Sequence, residues 1–144
     1  MRRAIELGRG VEGTTGDNPN VGCVIVASGV IVAEGATQPP GHPHAEATAL
    51  LAAQAAGIPV QGATLYTTVE PCSFEGRTPA CAPAIVRAGI ARVVLGVRDP
   101  HPRVNGRGVA ILRAAGVAVV EGVDRDEVTD YLRAWLLRDH SDGG

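Results

Sequence analysis

The chain alternates aliphatic runs with polar segments rich in glycine and proline, and the period within each run indicates a strand or a helix. β-Branched runs predict five strands, over residues 21–27, 30–33, 63–69, 92–97 and 117–120. Alanine-rich or amphipathic segments predict a short first helix ended by Gly10 and four further helices, over residues 44–56, 81–88, 108–115 and 126–138.

These elements form a hairpin, turning at Ser28-Gly29, which is followed by helices that alternate with strands. This order predicts an α/β fold in which a mixed central sheet of about five strands lies between layers of helices. We expect one domain over residues 1–138 and a disordered tail over 139–144. Because the hairpin is apolar almost throughout, we also expect both of its strands to be covered on both faces.

Composition and charge narrow the range of partners. Hydrophobic residues make up 45% of the chain and aromatic residues only 3%, so the core must be aliphatic and platforms for stacking nucleic-acid bases are few. The net charge is −2 and all 13 basic residues are arginines, which gives no broad basic face for nucleic acid. A local arginine can still bind a phosphate. We therefore expect a small-molecule partner rather than nucleic acid.

The three cysteines do not form a disulfide framework, since their number is odd and two of them lie in one loop. This usage is typical of a reducing compartment. The N-terminal segment has no apolar run like that of a signal peptide, and no stretch approaches the roughly 20 apolar residues that span a bilayer. We expect a soluble, cytoplasmic protein that has no contact with membranes.

Two short segments carry residue types that bind metals. His44 lies in one of them, and Cys72 and Cys81 delimit the other, a loop that follows a predicted strand. Three nitrogen and sulfur ligands leave one position of a tetrahedral zinc open, as in a catalytic site. His44 and Cys81 also open predicted helices, whose N-termini favour thiolate over thiol. The sequence predicts one Zn²⁺ per chain, bound by these three residues, whereas Cys23 lies in a strand and is better explained as a core residue.

Glu46 follows His44 by two residues and lies in the same predicted helical turn. From there a carboxylate can take a proton from a zinc-bound water, whose pKa is near ~7, and pass it to a ring nitrogen and to the leaving amino group. This predicts hydrolytic deamination of a base-like ring with Glu46 as the catalytic residue. Two alternatives stay open: a structural zinc site on a catalytically silent scaffold, and an ordinary first-turn acid favoured by the helix dipole.

Longer motifs around these residues resemble one family. They are His44-Ala45-Glu46, Glu70-Pro71-Cys72, Gly76-Arg77-Thr78-Pro79 with Cys81, the flanking Asn18-Pro19-x-Val21-Gly22, and a segment from Asp99 to Gly108. In this combination the chain resembles, over nearly its whole length, the N-terminal deaminase domain of bacterial bifunctional riboflavin-biosynthesis deaminase–reductases. The resemblance implies a three-layer α/β/α cytidine deaminase-like fold. It also implies zinc-dependent hydrolytic loss of ammonia from 2,5-diamino-6-ribosylamino-4(3H)-pyrimidinone 5′-phosphate.

The same resemblance implies roles for residues outside the ligand set. Asn18 would hydrogen-bond the pyrimidine, and Arg77 would bind the substrate phosphate. Asp99 and His101 would hold the sugar-phosphate arm. An amide offers a donor and an acceptor to a ring edge, and a guanidinium group suits a phosphate. The resemblance further implies a homodimer or homotetramer. Because the sequence stops after the predicted final helix, we expect either that the reductase of the pathway is a separate protein or that this deaminase serves another pathway.

Three residues depart from the family pattern. Phe74 and Thr37 stand where the family commonly has histidine, and His101 replaces an asparagine. All three are substrate-side positions, so the reaction type is unaffected. They leave open a second function of the same class, a stand-alone deaminase of another nucleotide or base, such as cytidine, dCMP, guanine or a tRNA adenosine.

Overall fold

A mixed five-stranded sheet lies at the centre of the computed structural model, which describes residues 1–73, 80–102 and 104–138. Its strands are β1 (Gly22–Ala27), β2 (Val30–Ala36), β3 (Thr64–Val69), β4 (Arg92–Val97) and β5 (Ala118–Val120). The helices are α1 (Arg2–Gly10), α2 (Ala45–Ala55), α3 (Cys81–Arg87), α4 (Arg107–Ala114), α5 (Arg125–Tyr131) and α6 (Arg133–Leu136). The predicted mixed sheet of about five strands is confirmed.

The strand order β2-β1-β3-β4-β5 brings several loops to one edge of the sheet. β1 pairs antiparallel with β2 and β3, whereas β3 pairs parallel with β4, and β4 with β5. β2, β3 and β4 therefore run in the same direction and end at the same edge, where β1 begins. We call this the carboxyl edge. It is the edge at which open α/β sheets bind their ligands.

Helices pack on both faces of the sheet. α1 packs on β1 at Gly22, where an added Cβ would overlap the carbonyl oxygen of Ala4. α2 packs on β2 at Gly35, where an added Cβ would overlap the carbonyl oxygen of Ala45. Gly35 pairs with Cys23, the neighbour of Gly22, so the two glycines face opposite sides of the sheet. α3 contacts α2 and α4, and α5 contacts α1 and β4, which gives the three layers that were expected.

The core is aliphatic, as the composition predicts. Its largest fully buried side chains include Ile25, Leu65, Ile85, Leu95 and Leu112, and none within the described ranges is aromatic.

No helix in the part of the chain that the structure describes has the length and apolar character needed to cross a membrane.

The expectation that both hairpin strands are covered on both faces is wrong for β2. Val30 is 61% exposed and Ile31 is 48% exposed, whereas the first four residues of β1 are buried. Both residues directly follow the turn at Ser28-Gly29 and lie at the opposite end of β2 from Gly35, where α2 packs; β2 is also the outermost strand of the sheet.

The single C-terminal helix predicted over 126–138 is also wrong, because the structure divides it into α5 and α6. Leu132 lies between them with φ −102° and ψ 12°, outside the helical range, and its side chain is 2% exposed. At this break the Leu132 side chain is buried in the core, while the surrounding polar residues stay exposed. The tail predicted over 139–144 lies outside the described residues.

Candidate metal centre and active site

The three predicted ligands come from three segments at the carboxyl edge. His44 is the N-cap residue of α2 and has extended backbone angles (φ −69°, ψ 171°). Cys72 follows the end of β3, and Cys81 is the first residue of α3. α3 begins at the carboxyl end of β3, so Cys81 lies at the same edge as Cys72.

The spacing of the ligand atoms suits a tetrahedral zinc ion. His44 Nδ1 lies 3.7 Å from Cys72 Sγ and 3.7 Å from Cys81 Sγ. The three ligand atoms all lie within 4.8 Å of one another. Zinc bonds of about 2.3 Å to sulfur and 2.0–2.1 Å to nitrogen, at tetrahedral angles, require a nitrogen–sulfur separation of about 3.6 Å. The residues present therefore fit the metal that their chemical types suggest.

Each sulfur also receives a backbone hydrogen bond from the start of a helix. The Cys81 amide at the start of α3 donates to Cys72 Sγ over 3.1 Å. The Ala47 amide in the first turn of α2 donates to the Cys81 side chain. Both contacts favour the negative sulfur that a metal ligand must become.

The pKa values of the two cysteine thiols are shifted in opposite directions. The pKa of Cys72 is lowered to about 4, chiefly because the Cys81 side chain hydrogen-bonds to it, with a further contribution from His44. The same hydrogen bond, together with burial, raises the pKa of Cys81. The hydrogen bond to Cys72 also raises the pKa of His44. A dication bound by these groups would displace the remaining protons, because the metal-binding forms are thiolate and neutral imidazole.

Glu46 lies in the first turn of α2 and is only 4% exposed. Burial, reinforced by the negative charge of Cys72, raises its pKa to about 7, while the charge of His44 opposes this shift. Its carboxyl group is also hydrogen-bonded to the Cys81 side chain. A buried carboxyl group with a pKa near neutrality can accept and release a proton at physiological pH.

Asp99 and His101 lie in the loop that follows β4, and both are half-buried. Asp99 Oδ1 accepts a hydrogen bond from the backbone amide of His101 over 2.9 Å, which fixes the two residues relative to each other. The negative charge of Asp99 is one of the influences that raise the pKa of His44. The Asp99 carboxylate is therefore close enough to His44 to act on it electrostatically.

Asn18 lies in the turn that precedes β1, at the carboxyl edge, and it is exposed. Its backbone amide donates to the Thr15 carbonyl over 3.2 Å, and its backbone carbonyl accepts from the Thr15 hydroxyl over 2.7 Å. Within the described residues, the hydrogen bonds of Asn18 stay inside this turn. Its contact with the pyrimidine stays a prediction. Arg77 and Phe74 lie outside the described residues.

Thr37 has a structural use that the sequence did not reveal. Its hydroxyl is buried, accepts a hydrogen bond from the Val21 amide and donates to the Pro19 carbonyl, each over 2.9 Å. Thr37 thus holds the Asn18-Pro19 turn against the end of β2. This departure from the family pattern is explained by packing and gives no reason to change the substrate.

Two further polar groups at this edge were missed at the level of sequence. Glu70 is 3% exposed, and its carboxylate accepts hydrogen bonds from backbone amides after β4. The Tyr131 hydroxyl lies 2.9 Å from both the Asn20 carbonyl and the Thr68 hydroxyl, so it joins α5 to β3 and to the start of β1. The available signal for Glu70 was an acid at the end of an apolar strand, directly before Pro71-Cys72.

Known proteins share this fold and this arrangement. The profile of the cytidine and deoxycytidylate deaminase zinc-binding region matches residues 1–97, a stretch that contains His44, Glu46, Cys72 and Cys81. Fold and site together define a deaminase of the cytidine deaminase-like class, in a family that binds zinc.

More specific similarity comes from individual relatives. The riboflavin biosynthesis protein RibD of Escherichia coli (strain K12) is 48% identical over 96% of this chain, which spans 37% of that protein. The diaminohydroxyphosphoribosylamino-pyrimidine deaminase of Buchnera aphidicola subsp. Acyrthosiphon pisum is 44% identical over 96% of this chain and 92% of its own length. A crystal structure of a diaminohydroxyphosphoribosylaminopyrimidine deaminase/reductase from Thermotoga maritima has a TM-score of 0.88 at 42% identity, over 94% of this chain and 39% of that one. This chain belongs to the diaminohydroxyphosphoribosylaminopyrimidine deaminase family, which confirms the resemblance.

Proposed function

We propose that this chain is a zinc-dependent hydrolase that deaminates 2,5-diamino-6-ribosylamino-4(3H)-pyrimidinone 5′-phosphate in riboflavin biosynthesis, with residues 1–138 forming the deaminase domain. The observation that carries this proposal is the position of Glu46, a buried carboxyl group against the ligand side chains, for which a structural zinc site has no need. The substrate is supported by the Buchnera relative, a diaminohydroxyphosphoribosylamino-pyrimidine deaminase that this chain covers over 92% of its length.

One Zn²⁺ per chain would be held by His44 through Nδ1 and by Cys72 and Cys81 through Sγ. The support for zinc is the donor set of one imidazole and two thiolates at tetrahedral spacing. When bound, the ion would supply Lewis acidity and lower the pKa of a water molecule in the fourth position to about 7.

Glu46 moves the protons in this proposal. Its carboxylate accepts a proton from the attacking water and delivers it to the ring nitrogen next to the reacting carbon. A second transfer through the same group protonates the departing amino group. A carbon–oxygen bond forms and the carbon–nitrogen bond breaks, so that one amine and one water give one carbonyl and one ammonia. A pKa raised towards neutrality by burial suits transfer in both directions.

Four residues would bind the substrate beyond the reacting ring atom. Asn18 is proposed for the ring edge and Arg77 for the phosphate. Asp99 and His101 are proposed for the sugar-phosphate arm. The proposal for Asp99 is supported by its charge, which acts on His44 across the site, and by the hydrogen bond that fixes it to His101.

The proposed surroundings of this enzyme follow from the same family. We expect a homodimer or homotetramer in the cytoplasm. The Thermotoga maritima relative is named a deaminase/reductase, so a reductase that acts in the same pathway is a further proposed partner. Size-exclusion chromatography with light scattering would measure the assembly state.

A panel of substrates tests the proposed function. Zinc-loaded protein is assayed for ammonia release from the diaminopyrimidine phosphate and, in parallel, from cytidine, dCMP, guanine and a tRNA. We expect turnover of the diaminopyrimidine phosphate alone. Turnover of another compound without the first would reassign the substrate, and full zinc occupancy without turnover of any compound would point to the silent scaffold.

A further inference from the structure

Glu70 is a buried acid whose carboxylate binds a segment of the chain far from it in sequence. Its Oε1 accepts hydrogen bonds from the amides of Asp99, over 3.3 Å, and Gly106, over 3.0 Å. Its Oε2 accepts one from the Val109 amide over 3.0 Å. All three donors belong to the loop between β4 and α4 or to the first turn of α4. We call the described residues 98–102 and 104–106 the β4–α4 loop.

α4 depends on Glu70 because its own N-cap residue has no side chain. That residue is Gly106, with φ 80°, and it makes no side-chain capping hydrogen bond. Serine, threonine, aspartate or asparagine at an N-cap position would normally accept from the first amides of the helix. Glu70 supplies this acceptor from the end of β3, and its negative charge is favourable at a helix N-terminus.

A second contact joins the same two parts of the chain. The carbonyl oxygen of Pro71 packs against Gly108, where an added Cβ would overlap it. The first turn of α4 therefore lies directly on the residue that precedes Cys72. In the β4–α4 loop, the hydrogen bond from the His101 amide to the Asp99 side chain continues the connection that begins at Glu70.

We infer that Glu70 is a positioning residue that holds the β4–α4 loop, with Asp99 and His101, at a fixed place beside Cys72 and thereby sets the affinity for the sugar-phosphate arm of the substrate. The identity of that substrate rests on the proposed function. The clamping of the loop rests only on the three hydrogen bonds and on the contact between Pro71 and Gly108.

Two variants separate the effect of the negative charge of Glu70 from the effect of its side-chain length. Glu70→Gln keeps the length and one acceptor oxygen, but it removes the negative charge and places an NH2 donor where the second oxygen accepts from a backbone amide. Glu70→Asp keeps the charge but is shorter by one methylene group. Thr67→Val is the matched control, because Thr67 is buried in the same strand and donates to the Val69 carbonyl over 2.8 Å, so its loss weakens β3 without touching the loop.

Three readouts are taken on the full, zinc-loaded chain. They are the zinc content, the hydrogen-exchange rates of the Asp99, Gly106 and Val109 amides measured by NMR, and kcat and KM for the diaminopyrimidine phosphate. For Glu70→Gln we expect unchanged zinc, exchange at these amides at least about tenfold faster, and KM raised about tenfold with kcat within about threefold of wild type. Glu70→Asp should behave similarly, and Thr67→Val should match wild type in all three.

Several outcomes would overturn the inference. Wild-type exchange rates and KM in Glu70→Gln would show that Glu70 does not hold the loop. Loss of zinc in that variant would place its effect on Cys72 instead, and an equal rise of KM in Thr67→Val would reduce the effect to general destabilisation. If Glu70→Gln does not fold, the same three measurements on Glu70→Asp decide between these outcomes. If wild type does not turn over the diaminopyrimidine phosphate, the proposed function fails, while the exchange rates still decide whether Glu70 clamps the loop.

Discussion

Each sulfur of the candidate metal centre is stabilised by the backbone of a helix that carries another ligand. Cys72 accepts from the amide of Cys81 at the start of α3, and Cys81 accepts from Ala47 in α2, whose N-cap residue is His44. The three ligands are therefore coupled through two helix starts. Their geometry depends on how α2 packs against α3 as well as on the ligands themselves.

The clearest test at this scale concerns the acid rather than the ligands. We expect Glu46→Ala to keep zinc and fold and to lose activity by about 10²–10⁴-fold, the usual contribution of a general acid–base group. The measurements are metal analysis and the rate of ammonia release. Glu34→Ala is a suitable control, because Glu34 lies on the outer strand β2 and pairs with Arg3. A Glu46→Ala variant with the wild-type rate would rule out the proposed proton transfer.

The Tyr131 hydroxyl gives a prediction about stability. Tyr131→Phe removes its hydrogen bonds to Asn20 and Thr68, which should lower the free energy of unfolding by about 1 kcal/mol and Tm by roughly 3 °C. The other tyrosine, Tyr66, has no hydrogen bond from its hydroxyl within the described ranges, so Tyr66→Phe should be close to neutral. Equal losses in the two variants, measured by thermal denaturation, would contradict this account.

Residue chemistry explains which site groups were predictable. His44, Cys72 and Cys81 could be identified because imidazole and thiol groups at these places in the elements suit few other purposes. Glu70 could not, since its role depends on backbone amides 29, 36 and 39 residues away, and any acceptor at the end of β3 would look the same in sequence. The hydrogen bonds of Thr37 could not be predicted for the same reason: its partners are 16 and 18 residues distant.

At the scale of elements, two glycines decide how closely the helices approach the sheet. Gly22 lies under α1 and Gly35 lies under α2, and both sites leave no room for a Cβ. The contact at Gly35 matters most for function, because it fixes Ala45, between His44 and Glu46, against β2. The position of the turn that carries His44 and Glu46 is thus determined by backbone packing.

The same substitution at two glycines of α1 and its partner strand should have opposite effects. Gly22→Ala forces a methyl group into the carbonyl of Ala4 and should destabilise the protein by about 2–3 kcal/mol. Gly10→Ala places a methyl group where nothing lies within 4 Å, at the end of α1, and should be neutral or stabilise by about 0.5–1 kcal/mol. Denaturant titration of both variants measures this, and a tolerated Gly22→Ala would disprove the close approach.

Element boundaries show where pattern fails and why. The apolar period continues through Leu132, so nothing local indicates that α5 ends at Tyr131 and that α6 begins at Arg133. At this break Leu132 is buried in the core and the Tyr131 hydroxyl hydrogen-bonds the Asn20 carbonyl, a contact between residues 111 positions apart. Likewise, Val30 is exposed because it lies away from the helix that packs at Gly35, which a run of apolar residues does not encode.

At the scale of the whole molecule, a bound metal would add a further connection between α2, the segment after β3 and the start of α3. We expect zinc to raise Tm and a chelator to lower it, because an ion that binds only the folded chain stabilises it by mass action. The effect should shrink as the pH falls, since protons compete for the imidazole and thiolates. Calorimetry with and without zinc, at several pH values, measures both.

Cysteine variants provide the controls for that experiment. Cys81→Ala should lose zinc and the stabilisation that zinc gives. Cys23→Ala should retain one zinc per chain, because Cys23 is buried in β1 and is not among the residues grouped at the metal centre. Retention of tight zinc binding by Cys81→Ala would refute the ligand assignment.

The separation of the ligands in sequence also bears on the order in which the chain assembles. His44 lies 28 residues before Cys72 and 37 before Cys81, so the three ligands meet only when α2 has packed beside α3. Pairings between distant segments form slowly. We therefore expect zinc to bind after the rate-limiting step of folding and to act mainly by slowing unfolding. Stopped-flow chevron plots with and without zinc would reveal this as a change in the unfolding arm, and a comparable change in the refolding arm would instead place the metal in the folding nucleus.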